Sequence, residues 1–178
     1  MNSQKIYTYY YKTLVGELIL GDFNNKLCLA DWRYRKMRNA IDKRISGGLN
    51  AQFEEQKTEL IEKTILQLEE YFSVKRTVFD LPLQFVGTNF QQEVWNTLIQ
   101  IPYGTTSSYI DLAKKMNNEK AIRAIAGANG ANAISIIVPC HRIIGKDGSL
   151  VGYAGGLPAK KKLLQLENPE KENQLELF

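Results

Sequence analysis

One histidine and two cysteines in 178 residues exclude several chemistries at once. A structural zinc site needs about four ligands, and Cys28, Cys140 and His141 do not make such a set, so no metal and no cofactor is expected. Cysteines so far apart do not read as a disulfide framework; reduced thiols in a cytoplasmic protein are expected instead. A cysteine peptidase draws on a histidine distant from its nucleophile, and no distant histidine exists. No apolar run approaches the roughly 18 residues that span a bilayer. The start "MNSQKIYTYYYKT" lacks the layout of a secretory signal, and neither standard phosphate-binding glycine spacing occurs. Repeats and low-complexity segments are absent too.

What is present is ordinary globular material, 44% apolar and 24% charged, enough for one sizeable core or two small ones. The net charge is +4 and unevenly spread. Residues 88–167 carry nine Lys/Arg against five Asp/Glu, residues 1–87 thirteen against eleven, and the remaining tail one against three. Positive excess in the Cys140 half permits a nucleic-acid partner.

The first third reads as β, with strands near Tyr7–Tyr11, Glu17–Gly21 and Leu27–Trp32 and a turn at "DFNN". "RYRKMRNAIDKRISGGLN" is polar and irregular, a loop or short helix closed by Gly47-Gly48. From about Glu54 to Phe72, Leu60, Ile61, Thr64, Ile65, Leu68 and Phe72 recur at helical spacing. "VFDLPLQFVG" then reads as an extended crossing segment. A boundary near Gly87 gives a small α/β domain over 1–87, a second domain over 88–168 and a flexible tail over 169–178.

The second domain opens with a Thr88/Gln91 capping-box pattern, and its first helix carries Phe90, Val94, Trp95, Leu98 and Ile99 inward before "IPYG" stops it. A helix from Ser107 or Ser108 places Ile110, Leu112, Ala113 and Met116 inside. After a tight polar break comes "EKAIRAIAGANG", ended by Gly130; the pair suggests a helix-turn-helix. This last helix is nearly all small residues around Arg123, which suits close packing inside the protein or close approach to a nucleic-acid backbone. "AISIIV" reads as a strand delivering Cys140, "GKDGS" as a turn and "LVGYAGG" as a stretch where backbone can approach a ligand. Pro158 suits the first turn of a final helix, "PAKKKLLQLE".

"SIIVPCHRIIG" therefore places the only histidine beside a cysteine at a strand end. A thiol attacks as thiolate and needs a base or a lowered pKa. Adjacent residues of a strand point to opposite faces, which favours a bridging water over a direct Cys140–His141 bond. The histidine also wants an acceptor on its other nitrogen.

"TNFQQEVWNTLIQIPYGTTSSYIDLA" and "RAIAGANGANAISIIVPCHRIIGKDGSLVGYAGGLPAKKKLLQLE" resemble the methylated-DNA–protein-cysteine methyltransferases, or O6-alkylguanine-DNA alkyltransferases, from Thr88 to Glu167. The resemblance implies a ribonuclease-H-like α/β N-terminal domain and a mainly α winged helix-turn-helix domain. It implies an irreversible, single-turnover transfer of an alkyl group from O6-alkylguanine, or O4-methylthymine, to Cys140. His141 would help deprotonate the thiol through a water, with Glu167 on the far side of the imidazole and Asn132 holding the turn before the active-site segment. Tyr109 would donate to the flipped base and meet its phosphate. Arg123 would replace that base in the stack, with Ala124, Gly127 and Ala128 lying in the minor groove of double-stranded DNA. Tyr153, Ala154, Ile143 and Pro139 would line the pocket.

Ala154 stands where some members carry serine, and the ligands of the zinc found in some members are missing. A methylation-responsive regulatory domain is not expected either. The expected state is a monomer with no membrane association. "QLELF" at Gln174–Phe178 is similar to the peptides that dock bacterial repair proteins on the sliding clamp; packing back on its own domain is the alternative. A lesion binder lacking the reactive cysteine and a winged-helix regulator are the rival classes, and neither accounts for the Cys-His pair.

Overall fold

The computed structural model describes residues 4–171, and the chain divides into two compact units, Met1–Thr88 and Asn89–Phe178. In the first, β1 (Gln4–Thr13), β2 (Gly16–Phe23) and β3 (Lys26–Trp32) form an antiparallel meander. The β2–β3 hairpin turns on Asn24 and Asn25 at φ 50° and 60°; two left-handed residues match the strand twist, and asparagine tolerates them. Helix α1 (Arg38–Leu49) then leads to β4 (Ala51–Glu55), which pairs parallel with β1, so the sheet order is β3-β2-β1-β4. Leu18–Asp22 are buried without interruption, as befits a strand covered on both faces.

Three expectations in this unit need correction. Gly47-Gly48 lie inside α1, which ends at Asn50 in the left-handed region, φ 47°. A β-carbon at Gly48 would come within 2.5 Å of Val86 Cγ1, so close packing explains that glycine. The residues read as the start of the next helix are divided: Ala51–Glu55 form β4, of which only Ala51 is buried, and α2 (Glu59–Phe72) begins after the cap Thr58. A short strand with one buried residue carries no alternation for a sequence reading to detect. The inner face of α2 uses Gln67 and Tyr71 where Ile65 and Phe72 were expected. Buried Gln67 is satisfied by clamping the Asp80 backbone: its Oε1 accepts from the N–H at 2.9 Å and its Nε2 donates to the carbonyl at 3.0 Å. This clamp helps hold the crossing segment in place.

The second unit is mainly helical: α3 (Asn89–Ile99), a two-residue strand β5 (Ser107–Ser108), α4 (Tyr109–Lys115), α5 (Ile122–Gly130), a short strand β6 (Ile143–Ile144) parallel to β5, and α6 (Leu157–Glu167). Ser108 and Asp111 form a reciprocal capping box that starts α4. Trp95 of α3 is buried and donates Nε1–H to the carbonyl of Ala128 at 2.8 Å, joining α3 to α5. Ile99, expected inside, is 43% exposed, because the inward face of the helix is centred on Val94, Thr97 and Leu98 and Ile99 falls beyond its edge. The "AISIIV" strand does not form; its replacement is described below. Among the described residues no helix is long and apolar enough to cross a membrane. The Gln174–Phe178 peptide lies outside the described residues.

Candidate active site and nucleic-acid interface

Between α5 and Cys140 the chain is neither helix nor regular strand, and Asn132 organises it. Its Oδ1 accepts from the Ile134 N–H at 2.9 Å, and its Nδ2 donates to the Val138 carbonyl at 3.0 Å. Inside this loop the Ile137 N–H donates to the Ser135 carbonyl at 2.9 Å across Ile136, whose φ is 71°. Those are the marks of a γ-turn of the positive-φ, strained form, and a β-branched residue makes it costlier. A second two-residue bond, Cys140 N–H to Val138 carbonyl at 2.8 Å, spans Pro139 at φ −82°, ψ 58°. That is the inverse γ-turn, for which the fixed φ of proline is pre-set.

Two opposed γ-turns thus deliver the thiol, in place of the expected strand. Cys140–Arg142 then form one turn of 3₁₀ helix, in which successive side chains diverge by about 120°. The opposite-faces argument for Cys140 and His141 fails with the strand.

His141 is fully buried, and its Nε2 lies 2.7 Å from Glu167 Oε1. Arg142 grips the same carboxylate with both ends of its guanidinium, Nε to Oε2 at 2.8 Å and Nη2 to Oε1 at 3.0 Å, and donates Nη1–H to the Ile101 carbonyl. The Gly104 N–H donates to Glu167 Oε2 at 3.2 Å. Gly104 sits at φ 74°, where a β-carbon would press to 3.0 Å from the Glu167 carbonyl oxygen, so this position needs glycine. Burial pushes Glu167 up, but the hydrogen bonds and charge of its partners prevail and hold it at about 2. Burial depresses His141 below 6.5 against the pull of Glu167, so the ring is neutral at pH 7. His141 and the Arg142 guanidinium, through hydrogen bonds and charge, together keep Glu167 ionised. An ionised acceptor at Nε2 fixes the proton there and leaves Nδ1 as the basic nitrogen.

Lys160 is also fully buried. It donates to the Ile143 and Val151 carbonyls; burial lowers it to about 8, partly opposed by the negative form of Cys140. Tyr109 is half-buried and accepts from Asn129 Nδ2 at 3.3 Å. Burial raises its pKa, Asn129 lowers it and the Cys140 charge raises it again, so its hydroxyl remains a donor. The rings of Tyr153 and His141 meet edge to face, centroids 6.4 Å apart. Pro139 and Ile143 are buried and Ala154 half-buried.

On α5, Arg123, Ala124, Gly127 and Gly130 lie on the outer side, whereas Ala128 is 3% exposed on the opposite side. Its expected place on a nucleic-acid face is corrected: helical periodicity turns it inward with Ile125 and Asn129. A β-carbon at Gly127 or Gly130 would meet nothing within 4 Å, so packing within the chain does not require either glycine. Arg123 makes no hydrogen bond or ion pair among the described residues. Among those residues no group of three or more His, Cys, Asp or Glu converges as metal ligands.

Sequence reasoning assigned no role to Arg142, Lys160, Asn129 or Gly104. One signal was available: Lys160, Leu163, Leu164 and Glu167 share one helical stripe, and a lysine on an otherwise inward face marks a buried cation.

A thiol, an imidazole and an ionised carboxylate, all buried in the unit that carries the small-residue helix, define the class: a protein equipped for cysteine chemistry. The comparisons with known proteins are specific. The family model described as "6-O-methylguanine DNA methyltransferase, DNA binding domain" matches residues 89–169. The inducible methylated-DNA–protein-cysteine methyltransferase of Bacillus subtilis is 40% identical over 160 residues, 89% of this chain and 83% of that protein. The crystal structure of Mycobacterium tuberculosis O6-methylguanine methyltransferase superposes with a TM-score of 0.76 at 35% identity, covering 92% of this chain and 93% of the other. The Mycobacterium tuberculosis OGT solved in complex with DNA gives 0.76 at 34%, covering 96% and 94%. This chain belongs to the methylated-DNA–protein-cysteine methyltransferase family.

Proposed function

We propose that this protein repairs DNA by moving an alkyl group from O6-alkylguanine irreversibly to Cys140. The observation that carries the reading is the buried His141–Glu167 pair, joined by Arg142, beside a cysteine held by two γ-turns. The thiol proton passes through a water to His141 Nδ1. The thiolate attacks the alkyl carbon, forming an S–C bond as the C–O bond breaks and its electron pair passes to guanine O6. Tyr109 donates to the purine as that charge develops. The thioether left on Cys140 lacks the acyl reactivity that lets water release a thioester, so each molecule acts once.

The target atom is inside the duplex, and flipping its nucleotide out costs a few kcal/mol. Exposed Arg123 would fill the gap, while Ala124 and Gly127 allow close approach in the minor groove. Tyr153, Ala154, Ile143 and Pro139 line the pocket in this reading, and O4-methylthymine is a second substrate. A winged helix-turn-helix is supported by α4, α5 and the β5–β6 pair, and a ribonuclease-H-like first unit by a meander followed by a helix and a strand parallel to β1. A reactive thiol favours a reducing, cytoplasmic setting, and the protein acts as a monomer. Docking of Gln174–Phe178 on a sliding clamp predicts that truncation abolishes capture by the clamp; unchanged capture excludes it.

The central test uses an oligonucleotide carrying O6-methylguanine. One added methyl on the Cys140 peptide is expected, with Cys140→Ser binding but not repairing. An unmodified Cys140 with intact lesion overturns the reading.

A further inference from the structure

The first unit carries a surface that alkyl transfer leaves unused, in the loop after β3. The segment Arg33-Tyr34-Arg35-Lys36-Met37-Arg38 has four cations in six residues, interleaved with an aromatic and a methionine. Two of the cations are occupied internally: Arg35 and Arg38 both bind the buried Asp31, at 2.9 and 3.0 Å. Arg33 and Lys36 do not join that cluster. The Arg33 guanidinium lies 4.0 Å from the ring centroid of Tyr10 and 5.2 Å from that of Tyr34, and Glu17 Oε1 at 2.9 Å pins its position. Tyr10, Arg33 and Tyr34 make a three-membered stack whose last member is 77% exposed. Met37, 57% exposed, and the exposed Lys36 follow in the same loop.

Single exposed apolar side chains are commonplace. An exposed ring backed by a guanidinium, with further cations alongside, has a definite chemical complement. A nucleobase continues the stack on Tyr34, and its phosphates meet Lys36 and the outer edge of Arg33. We propose that this loop is a second nucleic-acid contact, binding an unpaired stretch of DNA by base stacking on Tyr34 and phosphate pairing with Lys36. Charge complementarity selects this occupant: a polyanion with flat, apolar bases fits a cationic aromatic platform. The inference rests on the DNA-directed reading above but not on alkyl transfer itself.

The test measures binding of the full chain to a fluorescent oligothymidylate by anisotropy, across a salt series. Alanine substitution at a base-stacking aromatic reduces affinity by roughly 5- to 150-fold, so Tyr34→Ala is expected to fall in that range while Tyr34→Phe retains binding. Lys36→Ala is expected to flatten the salt slope by about 0.7 for each phosphate left without its cation. Transfer from the free base O6-methylguanine, which involves no DNA strand, should be unchanged in all three variants. Wild-type affinity in Tyr34→Ala overturns the proposal, as does a wild-type protein that ignores the single strand. Altered sedimentation of Tyr34→Ala with unaltered DNA binding overturns it in favour of a protein–protein surface. Failure of Cys140 methylation with these binding effects intact would instead remove the alkyl-transfer reading alone.

Discussion

The two cysteines are almost equally buried, 1% exposed at Cys28 and 3% at Cys140, and their surroundings differ in nearly every other respect. Cys28 sits in the regular strand β3, where its Sγ–H donates to the Gly21 carbonyl. Burial, with the Asp22 carboxylate adding to it against a backbone hydrogen bond, pushes its thiol up to about 12. Cys140 follows an irregular double turn, with an imidazole next in sequence and the cation Lys160 within its electrostatic reach. Burial alone therefore makes a thiol inert; reactivity requires a base and positive charge buried with it.

The comparison can be broken most directly at the sulfurs. Cys140→Ser should abolish methyl transfer, whereas Cys28→Ser should transfer one methyl per molecule as the parent does, both read by peptide mass. A thiol reagent added to the native protein should label Cys140, with Cys28 reacting only after denaturation.

Glu167→Gln is expected to have the next largest effect. It leaves the buried Arg142 charge uncompensated, a loss of about 3–5 kcal/mol measurable by urea unfolding, and should slow transfer sharply. Acid titration sharpens the point. His141 and Glu167 both have folded pKa values below their ordinary ones, 6.5 and 4.5, so the unfolded chain binds more protons. Stability should decline as pH falls below 6.5 and again between 4.5 and about 2. The lower limb should become shallower in Glu167→Gln, leaving the part that comes from Asp111 and Asp147, whose carboxyls also lie below their usual value.

Asn132→Ala removes two buried hydrogen bonds and should cost about 2–4 kcal/mol. Because those bonds shape the turn before Cys140, the transfer rate should fall more than affinity for the lesion. Trp95→Phe is the mildest test: the Ala128 carbonyl loses its indole donor but keeps the Ala131 N–H, at about 0.5–1.5 kcal/mol. Unchanged thermal stability would show that the α3–α5 contact is slack.

Legibility followed periodicity. The meander, the core positions Val94, Trp95 and Leu98 and the start of α4 at Ser108 were readable because they repeat at 2.0 or 3.6 residues or carry capping chemistry. Ala51–Glu55 and the inward turn of Ala128 were missed because a short, mostly exposed strand and an all-small helix have little pattern. "AISIIV" misled for a different reason. Its β-branched composition favours a strand, but Asn132 draws Val138 back toward Ile134, and the local preference yields to that closure.

Sequence alone determined the scarce reagents, one cysteine and one histidine adjacent after a proline, and through resemblance their match with Glu167 and the small-residue helix. Sequence and resemblance singled out Cys140; only the tertiary structure decided what surrounds each thiol. It brings Glu167 and Lys160 of α6 together with Arg142 and the Gly104 N–H around His141, where charges lose the screening of water and set one another's protonation.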